Sequence, residues 1–292
     1  MELNQKKGAL YAIISGLCYG LVGYFGISIV YANFSIFNML FWRFLISSLL
    51  IGLLVICTLF RSNTIRENLG GILKILLYGA AFYSATSITY FISSTYIGTG
   101  LAMVIFFTYP AIIMLFNWLF YKKPIPKAYY AAIALITIGM LLLTDLSTLK
   151  YDIIGIGSGI LSAFFYAGYI LSSKKTKVSP LVSTFMVSLG CMILCLMLAL
   201  MHHSLVIPKT IGIWGNIFAM AIICTAIPIL LLLESLKYLS EEKASILSVL
   251  EPVFVVFFGI ILLGETINVL QIAGIITILS GALITLFNNK NE

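Results

Sequence analysis

Apolar segments that are each long enough to cross a lipid bilayer recur along the whole chain. A helix needs about 20 residues to cross roughly 30 Å of hydrocarbon. The segments are continuously apolar rather than alternating, which favours helices over the strands of a β-barrel. We therefore predict an all-α polytopic membrane protein with ten transmembrane helices. The ten segments are centred near Tyr19, Ser48, Phe82, Tyr109, Leu135, Ala163, Cys191, Thr225, Val253 and Ile276.

The scarcity of charged residues makes the lipid bilayer the main partner of this chain. Of 292 residues, 61% are hydrophobic and only 9% are charged, whereas a soluble domain carries roughly 25% charged residues. Such a composition cannot cover a water-facing surface.

The positive charges predict an orientation in the membrane. The net charge of +7 invites comparison with nucleic-acid-binding proteins, but the positions of the charges argue against a nucleic-acid partner. If the N-terminus is cytoplasmic, nearly all Lys and Arg outside the spans fall on the inner side, and only Lys150 and Lys209 fall outside. This bias follows the positive-inside rule. We predict a multi-pass protein of a prokaryotic cytoplasmic membrane, with both termini in the cytoplasm.

The second half of the chain repeats the first. A shift of 142 residues pairs Pro110 with Pro252, and a shift of 147 pairs Tyr19 with Tyr166. We predict one five-helix repeat over residues 1–147 and a second over 148–292, with the polar tract 145–152 between them. Because five is odd, the second repeat enters the membrane with the opposite orientation. Inverted repeats are typical of secondary transporters, whose substrate sites lie near the bilayer midplane.

Two motifs resemble those of a known family. The segment LEPVFVVFFGIILLGE, from Leu250 to Glu265, is similar to the second-repeat motif of the EamA branch of the drug/metabolite transporter superfamily, and WRFLISSLL from Trp42 resembles its second helix. The resemblance implies ten helices in two inverted repeats. It leaves the substrate open, because members move amino acids, nucleotide-derived metabolites, vitamins and cationic drugs. Small four-helix relatives carry a glutamate in their first helix, which residues 8–30 here lack.

Glu251 and Pro252 lie near the middle of the ninth segment. An isolated charge there costs on the order of 2.5–3.5 kcal/mol on insertion scales, so we expect Glu251 to face the bundle interior or a wet cavity. Pro252 removes a backbone donor and frees a carbonyl one turn back. We predict substrate binding and proton coupling at Glu251, and helix breaks that act as gates at Pro110 and Pro252. The alternative is that Glu251 only holds neighbouring helices together.

Arg43 is the other charge well inside a span. Three arrangements are open: a structural ion pair with Glu251, a side chain that extends outward to the membrane surface, or two charges that flank a zwitterion. Tyrosines cluster at the same depth, and each could instead be a packing residue with a satisfied hydroxyl. The full set of predicted substrate contacts is Glu251, Tyr109, Tyr19, Tyr166, Tyr83, Arg43, Trp42 and Asn38.

The sequence argues against two other classes of membrane protein. It contains no nucleophile–base pair and no set of metal ligands within the spans, as an intramembrane enzyme would need. Inverted repeats are also a poor match for a channel. We predict a secondary transporter without cofactor or metal, a monomer or weak homodimer. It would export a small amphipathic metabolite, such as an amino acid, by alternating access. The alternative is proton-driven efflux of lipophilic cations.

Overall fold

The computed structural model describes residues 2–22, 24–25, 34–62, 69–122, 124–144, 152–175, 178–264 and 266–287. These residues form ten long helices and no strand, so the predicted all-α membrane fold is confirmed. Two helices, α4 and α9, are each divided into halves a and b. The helices are α1 Glu2–Tyr19, α2 Ile36–Ser62, α3 Leu69–Ile97, α4a Thr99–Phe106, α4b Tyr109–Tyr121, α5 Lys127–Leu143, α6 Ile153–Lys174, α7 Pro180–Met201, α8 Ile211–Ser235, α9a Glu241–Ser248, α9b Glu251–Leu263 and α10 Val269–Phe287.

The predicted count of ten spans is not confirmed by length and composition. Eight of the described helices are long and apolar enough to cross a membrane. Helix α5 is apolar but has only 17 residues. Helix α1 has 18 residues, among them Glu2, Lys6 and Lys7. Both helices nevertheless pack into the bundle beside membrane-length neighbours.

Helices α4 and α9 are interrupted in the same way, 142 residues apart. Phe107 (φ −73°, ψ 9°) and Val249 (φ −71°, ψ 5°) each end the first half-helix. The second halves begin two residues later with a Tyr-Pro and a Glu-Pro pair, respectively. Proline is tolerated at this position because the first helical N–H groups have no intrahelical partner. The sequence repeat therefore corresponds to a repeat in structure.

Helices α3 and α8 also share an irregularity. Each contains a π-helical turn, over Ile75–Gly79 in α3 and Ile222–Ala226 in α8, and the two turns are related by the shift of 147 residues. A π-helical turn inserts one extra residue and leaves backbone groups open to side chains, so such turns are frequent at functional sites. No pattern in the sequence indicated these two turns.

The helix pairs follow a pseudo-two-fold arrangement. Helix α5 packs along α10 and α2 along α7, so each lies beside its counterpart in the other half, while α1 packs along α8 and α3 along α6. Exchanging the halves converts the α1–α8 pair into the α6–α3 pair. A Cβ added at Gly139 in α5 would lie 2.7 Å from the carbonyl oxygen of Gly274 in α10, so glycine permits this close approach. The layout is consistent with inverted repeats.

The predicted boundary between the repeats falls largely outside the described residues, as do Lys123, Lys150 and Glu265. Asp152, at its end, caps α6 by accepting a 3.0 Å hydrogen bond from the Gly155 amide. We call the end of the bundle where α4 begins the Thr99 side, and the end where α9 begins the Glu241 side. Because consecutive helices run antiparallel, the two lie at opposite ends.

Candidate functional site

A cavity lies beside the two helix breaks, with a free volume of about 640 Å³ including its open mouth. It is bounded by α1, α2, α3, α4, α6 and α9. Along α3 its wall runs from Tyr83 to Phe91, toward the Thr99 side. The lining residues are Tyr19, Val22, Arg43, Tyr83, Thr86, Ser87, Tyr90, Phe91, Phe106, Tyr109, Tyr166, Ser248 and Glu251. Six of the eight predicted contact residues therefore share one cavity.

Glu251 is the acidic residue of this wall. It is partly exposed to the cavity. No hydrogen bond or ion pair to its carboxylate is formed by the residues that the structure describes. Glu251 is the first residue of α9b, and the positive end of a helix dipole favours negative charge. An unpaired carboxyl group in a cavity can bind a cationic group or a proton.

Arg43 lines the same cavity but is held from behind by α8. Its Nε donates to Thr225 Oγ1, and its Nη2 donates to the Cys224 carbonyl at 2.8 Å. Both acceptors belong to the π-helical turn, which explains why that carbonyl is available. Arg43 is 4% exposed, so its side chain does not extend to the membrane surface. No ion pair joins Arg43 to Glu251 among the described residues. Both residues line the same cavity, and a zwitterion bound between them stays a prediction.

Five tyrosines contribute to the remaining wall. The hydroxyl oxygens of Tyr19 and Tyr83 lie 2.9 Å apart and share a hydrogen bond across α1 and α3. The rings of Tyr109 and Tyr166 meet edge to face with centroids 4.7 Å apart. Tyr166 also contacts Phe106 at 5.2 Å. Aromatic faces with hydroxyl groups suit an amphipathic ligand, because they offer apolar contact and hydrogen bonds together.

The Glu241 side of the cavity is sealed by α9a. All eight residues of Glu241–Ser248 are buried. Asn117 of α4b donates a hydrogen bond from Nδ2 to Glu242 Oε1, and Tyr109 donates from its hydroxyl to the Ser245 carbonyl at 3.1 Å. These contacts fix α9a against α4b. The repeat counterpart of α9a behaves differently, since only Ala102 and Val104 are buried in α4a.

The structure does not place Asn38 and Trp42 at the cavity. Both side chains donate hydrogen bonds to the Val206 carbonyl, at 3.1 Å and 3.0 Å, and Asn38 also accepts from the Val206 amide. The Trp42 ring packs edge to face against Trp214. These residues anchor the connection between α7 and α8. They lie on a different face of α2 from Arg43.

Pro110 and Pro252 are buried and start α4b and α9b. Neither lines the main cavity, which receives the residue before each proline instead. Pro252 lines a second cleft, of about 490 Å³, between α4a, α9b and the end of α5. Gating by these two prolines stays a prediction.

Several wall residues were absent from the predicted contact set, among them Thr86, Ser87 and Tyr90 of α3. Together with Tyr83, which was predicted, they follow the spacing i, i+3, i+4, i+7, which puts them on one helix face. This spacing of polar side chains in an apolar span could have identified the same face of α3 as part of the cavity wall. Within the described residues no group of three or more His, Cys, Asp or Glu could hold a metal ion.

Comparison with known sequences gives consistent matches. The model of the EamA-like transporter family matches residues 6–145 and 153–287. The uncharacterized transporter YxxF of Bacillus subtilis is 25% identical over 296 residues, covering 99% of this chain and 93% of that protein. The pseudopaline exporter CntI of Pseudomonas aeruginosa is 24% identical over 275 residues, covering 92% of each. An uncharacterized transporter of Archaeoglobus fulgidus is 32% identical over 147 residues, about half of each chain.

Comparison with solved structures supports the fold. One crystal structure matches with a TM-score of 0.81 over 96% of each chain, at 15% sequence identity. At this identity the likeness concerns the arrangement of helices alone.

Proposed function

This chain belongs to the EamA-like transporter family, and from that membership we propose that it is a secondary transporter that exports a small amphipathic metabolite by alternating access. The family and the matching relatives are membrane transporters rather than enzymes. The name of the relative CntI supports export as the direction.

The composition of the cavity wall is the main observation that supports this proposal. An unpaired carboxylate at Glu251 and a guanidinium at Arg43 share one cavity with tyrosine rings. An amino acid or a similar zwitterion presents an ammonium group, a carboxylate and a small apolar part. Its ammonium group would bind Glu251, and its carboxylate would meet the remaining N–H groups of Arg43. Because hydrogen bonds to α8 already fix the Arg43 side chain, this side chain loses little conformational entropy when the ligand binds.

A second candidate is proton-driven efflux of lipophilic cations. Glu251 stands beside the aromatic residues Phe106, Tyr109 and Tyr166, and a cation is attracted both by a carboxylate and by aromatic faces. In this second candidate function, Arg43 does not contact the substrate, because both are positively charged. An Arg43→Lys variant would therefore weaken transport of a zwitterion and leave cation efflux largely intact.

Counterflow in proteoliposomes tests the proposal. Vesicles would be loaded with one unlabelled L-amino acid at a time and diluted into a solution of the same amino acid in radiolabelled form. A parallel experiment would use tetraphenylphosphonium as the cationic probe. Saturable accumulation of an amino acid is the expected result. Accumulation of tetraphenylphosphonium alone would favour the second candidate, and flux that never saturates would indicate a pore.

A further inference from the structure

Tyr109 and Glu251 are counterparts in the two repeats, each the first residue of a second half-helix. Tyr109 uses this position to donate a hydrogen bond to the Ser245 carbonyl of α9a, which helps to seal the Glu241 side. Subtracting 142 from 245 gives Met103, in α4a. If the repeats exchange conformations, Glu251 comes to face the Met103 carbonyl, as Tyr109 now faces that of Ser245.

The Thr99 side has the room for such a movement. A cleft of about 490 Å³ lies between α4a, α9b and the end of α5, and its lining includes Met103 and Pro252. On the Glu241 side the corresponding half-helices are joined by hydrogen bonds. The structure thus holds one side closed and leaves a gap at the other.

The second hydrogen bond of the closed side has no possible counterpart. Asn117 and Glu242 correspond to Gly259 and Gly100, which carry no side chains. Two glycines permit a closer approach of the backbones than Asn and Glu do, and this offsets the shorter reach of Glu251 compared with tyrosine. The counterparts of the four residues that join the closed side are Glu251, Met103, Gly259 and Gly100. Of these, Glu251 is the one whose side chain can donate a hydrogen bond when α4a closes on α9b.

The chemistry of that hydrogen bond depends on one proton. A tyrosine hydroxyl and a protonated carboxyl group each donate one hydrogen bond, whereas an ionised carboxylate only accepts. A carbonyl oxygen also only accepts. An ionised Glu251 would thus meet the Met103 carbonyl as acceptor against acceptor, and a protonated Glu251 would reproduce the tyrosine contact.

We propose that, when no substrate is bound, Glu251 must take up a proton before the Thr99 side can close, because its carboxyl group then donates to the Met103 carbonyl. The proton comes from water in the cavity, and it leaves to water on the Glu241 side after that side opens and the hydrogen bond breaks. One proton is moved in each cycle, and the carboxyl group returns to its ionised form. This inference rests on the proposed alternating-access transport and adds its coupling step.

The groups around Glu251 bear on its protonation. Arg43 favours the ionised form, and it is already bonded to α8 rather than to Glu251. Among the residues that the structure describes, the other ionisable groups near the carboxyl group are hydroxyls and one thiol. They are Tyr19 of α1, Tyr83 and Tyr90 of α3, Tyr109 of α4b, Tyr166 of α6 and Cys224 of α8.

The test measures the width of the Thr99 side directly. Spin labels on Thr99→Cys and Ile261→Cys, both exposed positions, report the distance between α4a and α9b by double electron–electron resonance. The protein is studied in lipid nanodiscs without substrate, with the exposed native cysteine removed by Cys57→Ser. We expect a shorter-distance population that grows as the pH falls.

Glu251→Gln is the matched control, because its amide always donates and never ionises. The short-distance population should be present at every pH in this variant, and its pH dependence should be lost. In Glu251→Ala the population should be missing. An unchanged pH dependence in the Gln variant, or the absence of the short distance there, would overturn the proposal. Counterflow measured on the same protein keeps this outcome separate from a failure of the transport function.

Discussion

Tyr109 and Glu251 occupy the same position in two helices that are broken in the same way, and both face one cavity. The Tyr109 hydroxyl lies 3.1 Å from the Ser245 carbonyl, which accepts its hydrogen bond. The carboxylate of Glu251 has no such partner among the described residues. Two equivalent positions thus carry different chemistry, and this difference makes the two sides of the cavity unequal.

The orientation of the chain can be measured with cysteine reporters. Lys175→Cys, beyond the end of α6, should be shielded from a membrane-impermeant maleimide in intact cells, whereas Lys209→Cys, before α8, should react. The expectation follows from the excess of positive charge on the predicted cytoplasmic side. Both variants need the Cys57→Ser background. Reaction at position 175 with protection at position 209 would reverse the predicted topology.

The hydrogen bond between Asn117 and Glu242 should stabilise the closed Glu241 side. Asn117→Ala leaves the buried Glu242 carboxylate without this donor, and losing such a partner costs about 1–3 kcal/mol or more for a charged group. We expect a lower melting temperature of the protein in detergent, measured by tryptophan fluorescence. Ser280→Ala, which removes an exposed hydroxyl bonded within its own helix, is the control. Equal melting temperatures for both variants would contradict the stabilising role.

The shared hydrogen bond of Tyr19 and Tyr83 joins α1 to α3 at the cavity wall. Tyr19→Phe and Tyr83→Phe should each lower the free energy of unfolding by about 0.5–1.5 kcal/mol. The double variant should lose less than the sum, because both changes remove the same bond. Chemical denaturation of the four proteins gives this coupling energy. A coupling of zero would mean that the two hydroxyls do not interact in the membrane.

The break before α9b depends on Pro252. Pro252→Ala restores a backbone N–H that can bond one turn back, so the helix can continue through the break. We expect slower counterflow with unchanged ligand affinity, because the half-helices would lose their independent movement. Pro124→Ala, at an exposed position between α4 and α5, should transport normally. Wild-type turnover in the Pro252 variant would show that this break is not a gate.

The sequence repeat predicted the positions of the helix breaks because proline has a direct effect on the backbone. The same reasoning could give the depth of a side chain in the membrane but not its direction around the helix. Asn38 and Trp42 lie at a plausible depth, yet they face the α7–α8 connection. Arg43, one residue further on, is turned by about 100° and reaches the cavity.

Other features of the structure could not be predicted from individual residues of the sequence. The π-helical turn of α8 presents the Cys224 carbonyl to Arg43, and its residues Ile222–Ala226 include no Gly or Pro that would mark an irregular helix. Helix α2 packs against this turn, and composition does not encode such a contact. The sealing of the Glu241 side by Asn117 and Glu242 likewise depends on a contact between residues far apart in the chain.

Proteoliposomes that carry Glu251→Gln test proton coupling at Glu251 most directly. Using the amino acid that wild-type protein accumulates in counterflow, we would measure substrate exchange at equal pH and uphill transport driven by a pH gradient. Gln keeps the shape and a hydrogen-bonding group but cannot ionise. We expect uphill transport to be lost, while exchange continues at a measurable rate. Wild-type rates in both assays would contradict proton coupling and leave Glu251 as a structural residue.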